Sequence, residues 1–328
     1  MLWIEKYRPK NFDEIIGQDR AINQLKSYAK HGSFPHLMII GRSGTGKTSA
    51  LEAFSDLFYE NSAAENTAVI PVSVMFSQGH AYFSENEKFS HLYKKDKSVI
   101  TNFKNIVKWH ASLKPLSSAF RIIIFDGAGD LPKDAQAALR RIMEKYAQTC
   151  RFVFVTESMS SLIDPIRSRC VPMYFLPIDE TVMKKYLTEI LIRENVFDKV
   201  SEDNLDLIVM SSAGDLRKAL VWLELMALYG YDDLSAFTKT ETGILAERTA
   251  DACRDGDIST AQSTAEDMMI QYGLSASDVA VMLKNALKND MTPEIALIFA
   301  DADINVRAGQ IEYLQINALI AELCEALA

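Results

Sequence analysis

His36 to Leu57 reads HLMIIGRSGTGKTSALEAFSDL: an apolar run, a glycine-rich turn and an amphipathic segment in succession. Gly41, Gly46, Lys47 and Thr48 satisfy G-x-x-x-x-G-K-[ST], with the strand-like run Leu37 to Ile40 before them and Ala50, Leu51, Phe54, Leu57 and Phe58 on one helical face after them. Strand, loop and helix in that order are the setting this pattern needs to form a phosphate-binding loop. Across Gly41, Ser43, Gly44, Thr45, Gly46, Lys47, Thr48 and Ser49, the glycines let backbone N–H groups curl around a phosphate chain. The helix presents its positive dipole end to the anion. Lys47 then reaches the β and γ phosphates and the Thr48 hydroxyl ligates Mg²⁺, so ATP or ADP with Mg²⁺ is the expected ligand.

Downstream, Thr67 to Met75 (TAVIPVSVM) reads as a second strand, and Arg121 to Asp126 (RIIIFD) as a third, apolar throughout and hence buried on both faces. An acidic residue closing such a strand is the Walker B arrangement, with Asp126 holding the same Mg²⁺. Residues 134 to 147 predict a helix that gathers Ala135, Ala138, Leu139, Ile142, Met143 and Tyr146 on one face and leaves Arg140, Arg141 and Lys145 toward another. Arg151 to Thr156 (RFVFVT) predicts a fourth strand, and Pro165 to Cys170 a loop. Strands alternating with helices at this spacing imply a parallel, helix-covered sheet. The polar stretch Ser77 to Lys97 has interleaved aromatics and no clean period, which predicts an insertion or mobile loop; its His80 and His91 lack a partner at a metal-ligand spacing. From Ile178 onward no strand pattern survives. Helices are expected over 179–194, 201–211 and 215–229, and a second helical block from about 241 to the end. Its last segment, Ile311 to Leu327, is apolar on more than one face and needs partners on several sides.

A chain of 328 residues exceeds a single compact core, and 48% hydrophobic with 24% charged residues is ordinary for a globular protein. No apolar run approaches a membrane span and MLWIEKYRPK has no signal-peptide core, so no membrane partner and a cytoplasmic location are expected, nuclear if the source is eukaryotic. Cys150, Cys170, Cys253 and Cys324 are scattered, which argues for buried thiols rather than a disulfide framework or a zinc knuckle. The net charge of −9 disfavours a free-standing nucleic-acid binder; any DNA contact must come from a local basic patch.

Taken together, WIEKYRPKNFDEIIGQD, GRSGTGKT, DAQAALRRIMEKY, IDPIRSRC, GDLRKAL and the closing run from GLSASDV to INALIAEL resemble the AAA+ ATPases, and within them the replication factor C small subunit of sliding-clamp loaders. The resemblance covers nearly the whole chain. It implies an α/β P-loop AAA+ domain (1–177) followed by an all-α lid (178–230) and an all-α collar (231–328). It places Tyr7, Arg8 and Pro9 with Ile15 and Ile16 around the adenine, and Arg217 as the lid arginine on the phosphates. Arg169 falls at the arginine finger that enters a neighbouring subunit's ATP site, and Arg140 and Arg141 fall on the DNA-facing helix. Small and large sister subunits, a sliding clamp (PCNA) and primer-template DNA are the implied partners.

Two departures bear on the chemistry. The family writes Asp-Glu-Ala-Asp after the third strand, whereas this chain has Asp126-Gly127-Ala128-Gly129. The missing glutamate orients and deprotonates the attacking water, a contribution of about 10² to 10⁴ in rate. Weak or no hydrolysis at this site is therefore expected. Glu157 stands where the family usually has the sensor asparagine. Either its carboxylate replaces the lost base from an adjacent strand end, or the site has decayed and the carboxylate weakens ATP by repulsion. The readings to be separated are a clamp-loader subunit that leaves hydrolysis to its sisters and a non-catalytic scaffold holding permanent ADP. A homo-ring branch-migration motor needs hydrolysis at its own sites, which Gly127 disfavours.

Overall fold

The computed structural model describes residues 2–115, 119–230, 241–309 and 311–327. Its contacts divide the chain into two units, Met1–Asp232 and Asp233–Ala328. The first is built on five parallel strands, β1 (His36–Ile40), β2 (Thr67–Pro71), β3 (Arg121–Asp126), β4 (Cys150–Thr156) and β5 (Cys170–Tyr174), in the order β2-β3-β4-β1-β5. Strand alternation sends Met38, Ile123, Phe125, Phe152 and Phe154 to one face, where they meet Phe103 and Ile106 of helix Val99–Ser112 and Leu139 and Met143 of helix Lys133–Tyr146. Leu37, Ile39, Ile122, Ile124 and Val155 cover the other face against Leu25 of helix Asp19–His31 and Leu51 and Phe54 of helix Lys47–Tyr59. Both faces are dry, which is why these strands read as continuous apolar runs.

Because all the strands run the same way, the residues that follow β1, β3 and β4 emerge on one edge. Ile40 pairs with Thr156 at that edge, and Asp126 closes β3. The sheet thus delivers Gly41, Asp126 and Glu157 to a common crevice at the carboxyl ends of its strands, where ligands bind in open α/β sheets.

Four expectations change. β2 stops at Pro71, which has no N–H to continue the ladder, and Val72–Gln78 turns helical with Val72 and Met75 buried three apart. Ser77 to Lys97 is structured: helices His80–Glu85 and Glu87–Ser90 bury Phe83 and Phe89, and the Asn102 side chain bonds the backbone of Lys94, Lys97 and Ser98. Helix Val99–Ser112, capped by Ser98, was not anticipated. Cys170 begins β5 rather than ending a loop; this edge strand tolerates Pro172 because only β1 pairs with it.

The helices expected beyond Ile178 form as Glu180–Arg193, Glu202–Ser212 and Leu216–Tyr229, each capped by a side chain, from Asp179, Ser201 and Asp215 respectively. They group with the sheet in the first unit, and the Trp3 backbone N–H donates to buried Glu224 at 2.9 Å. The anticipated division at 230/231 opens onto residues 231–240, which lie outside the described residues. The second unit comprises the helices Glu241–Arg254, Ile258–Tyr272, Ala276–Ala286, Pro293–Ala308 and Glu312–Leu327, packed around Ala250, Ala265, Met268, Leu283, Ile320 and Leu323. All four cysteines are buried as free thiols. Among the described residues no helix is long and apolar enough to cross a membrane.

Candidate functional site

The loop after β1 is a cradle that side chains would fill. Gly44 and Gly46 have φ of +66° and +91°, and a Cβ on Gly44 would lie 1.7 Å from Asp215 Oδ1. A Cβ on Gly41 would lie 2.3 Å from the Phe175 carbonyl oxygen. Thr45 Oγ1 donates to the Arg42 carbonyl at 2.8 Å, and Lys47 Nζ donates to the carbonyls of Gly41 (2.8 Å) and Arg42 (2.5 Å). The loop is thereby folded before any anion arrives, and its following helix begins at Lys47 with its amide groups facing the crevice mouth.

A cavity of about 590 Å³ adjoins this loop. Ser43 to Ser49 form one wall, Asp126, Gly127, Gly129 and Asp130 with Thr156 and Glu157 another, with Ser73 and Arg217 contributing. Burial pulls the Lys47 ammonium below its ordinary range, and the carboxylates of Glu157 and then Asp126 oppose that shift. A second cavity of about 430 Å³ shares Gly44, Thr45, Gly46, Thr48, Ser49, Asp126 and Arg217 with the first and continues over Tyr7, Arg8, Pro9, Ile15 and Ile16. Burial and a hydrogen bond to Glu194 push the Tyr7 phenol up, while Arg8 pairs with Glu52 at 2.5 Å. A polar, glycine-rich chamber adjoining one lined by Tyr7, Pro9, Ile15, Ile16, Ile178 and Leu220 as well as by charged residues matches a phosphate chain joined to a base. The residues fit a nucleotide, and Thr48 and Asp126 could supply oxygen donors to Mg²⁺.

The sequence-assigned Ser43 to Ser49, Asp126, Glu157, Arg217 and the five N-terminal residues therefore converge, while Gly41 stands behind them, its carbonyl holding Lys47. Arg169, Arg140 and Arg141 lie outside both cavities. Arg169 Nη1 donates to the Pro165 carbonyl at 2.7 Å and Nη2 to Glu144 Oε1 at 2.5 Å; Arg140 Nε approaches the same oxygen at 3.4 Å. Hydrogen bonding from Arg169 holds the Glu144 carboxyl below its ordinary range. Arg141 lines a separate groove of about 770 Å³ with Lys104, Lys108 and Lys145.

Sequence reasoning missed Ser73 and Asp130. Gly127 sits at φ +70°, and a Cβ there would lie 2.2 Å from Ser73 Oγ, which itself donates to Asp130. No motif marks Ser73, because the segment that carries it reads as strand.

A phosphate loop at the carboxyl edge of a parallel β2-β3-β4-β1-β5 sheet, with helices on both faces and a helical second unit, is the nucleotide-binding AAA+ fold. Residues 17–179 match the family model described as DNA polymerase III, delta subunit, and residues 245–322 the model described as replication factor C C-terminal domain. The replication factor C small subunit of Picrophilus torridus is 33% identical over 98% of this chain and 96% of its own length. That of Archaeoglobus fulgidus is 32% identical over 98% and 97%. The ORC1 protein of Aeropyrum pernix, solved in complex with DNA, superposes with a TM-score of 0.52 at 16% identity, over 96% of this chain and 86% of that one, a likeness of fold. The chain belongs to the replication factor C small-subunit family, the clamp loaders of DNA replication.

Proposed function

We propose that this chain is a specialised small subunit of a heteropentameric clamp loader, which binds nucleotide with Mg²⁺, lends Arg169 to a neighbouring subunit's site, and leaves hydrolysis to its sisters. The observation that carries it is the conformation at Gly127. The position that would present the water-orienting carboxylate has no side chain, a left-handed backbone, and Ser73 Oγ where a Cβ would stand. Arg169, by contrast, lies outside its own chain's cavity, held near the surface by Glu144 and the Pro165 carbonyl, and would exchange those contacts for a neighbour's nucleotide. In this reading 1–177 is the nucleotide-binding domain, 178–230 the lid that supplies Arg217, and 231–328 the collar. Exposed Leu297, Ile304 and Leu314 on the second unit give the collar apolar surface for sister subunits. Arg141, in a groove with Lys104, Lys108 and Lys145, would line the phosphates of primer-template DNA together with Arg140 on the same helix, the local basic patch that an acidic chain requires. Coexpression with sister subunits tests the assignment: a stable complex is expected that retains a ring-shaped clamp when ATP is present. A chain that stays monomeric beside them, or turns over ATP alone as fast as the complex, would sink it.

The Gly127 geometry also predicts that Gly127→Glu does not repair the site. Placing a side chain at φ +70° strains the backbone by roughly 1–2 kcal/mol, and the new Cβ displaces Ser73 from Asp130. Phosphate release at this site, read in an assembled complex whose sister sites are disabled, should stay within about twofold of the parent, well short of the 10²-fold or greater gain that a working base supplies. A gain of that size in steady-state phosphate release would contradict the rebuilt wall.

A further inference from the structure

Two pieces of chain far apart in sequence meet at the base chamber. Tyr7 and Pro9 come from the N-terminal segment, and Ile178, Leu216, Arg217 and Leu220 from the helical segment beyond the sheet. The N-terminal piece is fastened to that helical segment at both of its ends. The Trp3 N–H donates to Glu224 at 2.9 Å, while Lys6 Nζ, at 2.5 Å, and the Tyr7 hydroxyl both donate to Glu194 Oε1. We propose that Glu194 is a positioning residue for base recognition: by accepting from the Tyr7 hydroxyl it fixes that ring at the chamber, so that the helical segment carrying Arg217 also holds the group that meets the base. The inference rests on the nucleotide-site reading above and adds to it a residue outside the cavity.

The stability of its own helix does not account for Glu194. It ends the helix Glu180–Arg193, where the carbonyl end of the dipole disfavours a carboxylate. What holds it there comes from the N-terminal segment: Lys6, and after it the Tyr7 phenol, keep its carboxyl below the ordinary range. Glu194 therefore stays an acceptor. Tyr7, whose phenol burial and this same bond push up, stays a donor. The bond commits the one polar atom of the ring to a partner that does not line the chamber, which leaves the ring itself to face a base. On its other side Trp3, 3% exposed, meets the ring edge-on, with centroids 6.3 Å apart and planes at 84°. Braced by Trp3 and tethered at its tip, the side chain is ordered before a nucleotide arrives. A ligand that meets a side chain already ordered avoids the cost of ordering it, which is worth roughly threefold to tenfold in affinity.

Titration of the full chain with a ribose-labelled fluorescent ADP analogue, displaced by ADP and by inorganic pyrophosphate, tests this. Glu194→Leu removes the acceptor and should weaken ADP by roughly threefold to tenfold, while pyrophosphate, which has no base, stays within about twofold. Glu194→Gln keeps an acceptor for the hydroxyl and should restore most of the ADP affinity. Tyr7→Phe should weaken ADP as Glu194→Leu does, and the two together should lose no more than either alone, since both remove one bond. Lys6→Gln breaks the ion pair but spares the Tyr7 bond, and should leave ADP within about twofold. Tyr7→Phe, the milder change, carries the comparison if Glu194→Leu does not fold. Undiminished ADP affinity in Tyr7→Phe, equal weakening of ADP and pyrophosphate, additive losses in the double variant, or a Lys6→Gln loss as large as that of Glu194→Leu would overturn the positioning role with the nucleotide site intact. Failure of the fluorescent analogue to bind a parent chain whose circular dichroism is native would overturn the nucleotide-site reading and the inference together.

Discussion

Replacing Arg169 by alanine should lower the ATPase of the reconstituted clamp loader by about 10³-fold or more at the one site it completes, while the isolated chain stays nearly inert. An arginine finger contributes about 10³ to 10⁵ in kcat because its guanidinium meets charge that develops only in the transition state. The loss should therefore fall on kcat, with nucleotide affinity at the neighbouring site little changed. The fold itself should tolerate the change. Arg169 is partly exposed and its partners are a surface carboxylate, Glu144, and the Pro165 carbonyl, contacts of the kind that contribute little to stability. Single-turnover assays on complexes in which one sister site at a time is disabled would localise the defect. An unchanged rate at every site would remove Arg169 from the mechanism. A rate lowered equally at all sites would point to assembly instead.

The same guanidinium shows where the sequence was legible and where it was not. Strands β1, β3 and β4 were readable because burial on both faces forces uninterrupted Val, Ile, Leu and Phe, and the phosphate loop because its glycines answer to backbone geometry alone. β5 was not, since an edge strand that carries Pro172 and buries only Cys170 and Met173 has no such signature. The helix Val72–Gln78 was hidden for the opposite reason: its β-branched residues favour a strand locally, and the packing of Val72 and Met75 against the sheet overrides them. The residues proposed for the nucleotide could be read from the sequence because their types are dictated by phosphate chemistry. Ser73 and Asp130 were not, because a serine opposite a glycine acquires meaning only when the fold brings β2's end beside β3's. The pairing of Glu144 with both Arg169 and Arg140 was invisible for the same reason, since 25 residues separate Arg169 from Glu144.

Gln136→Leu should destabilise the first unit by about 3–9 kcal/mol, although the side chain hardly changes in size. Gln136 is 2% exposed. Its Nε2 donates to the carbonyls of Leu131 (2.8 Å) and Ser161 (3.1 Å), and its Oε1 accepts from the Ile163 N–H at 2.8 Å. Leucine leaves three backbone groups without partners, each costing roughly 1–3 kcal/mol where water cannot replace the amide. Set against a typical total of about 5–15 kcal/mol, this is a large share. The three groups belong to the loop after β3, the loop after β4 and the segment leading to Arg169, so one amide ties both walls of the phosphate chamber to the finger. All three tryptophans, Trp3, Trp109 and Trp222, lie in the first unit, so denaturant unfolding followed by their fluorescence reads its stability apart from the helical second unit. The midpoint should fall markedly in the variant. At low temperature, where most molecules remain folded, ADP affinity and the neighbour's turnover should both fall, because Ser161 borders the chamber and the Ile163 carbonyl accepts from Ile166 and Arg167 in the turn that leads to Arg169. An unmoved fluorescence midpoint would mean that the three backbone groups find other partners. A lowered midpoint with unaltered turnover in the folded fraction would confine Gln136 to stability and sever its tie to the finger.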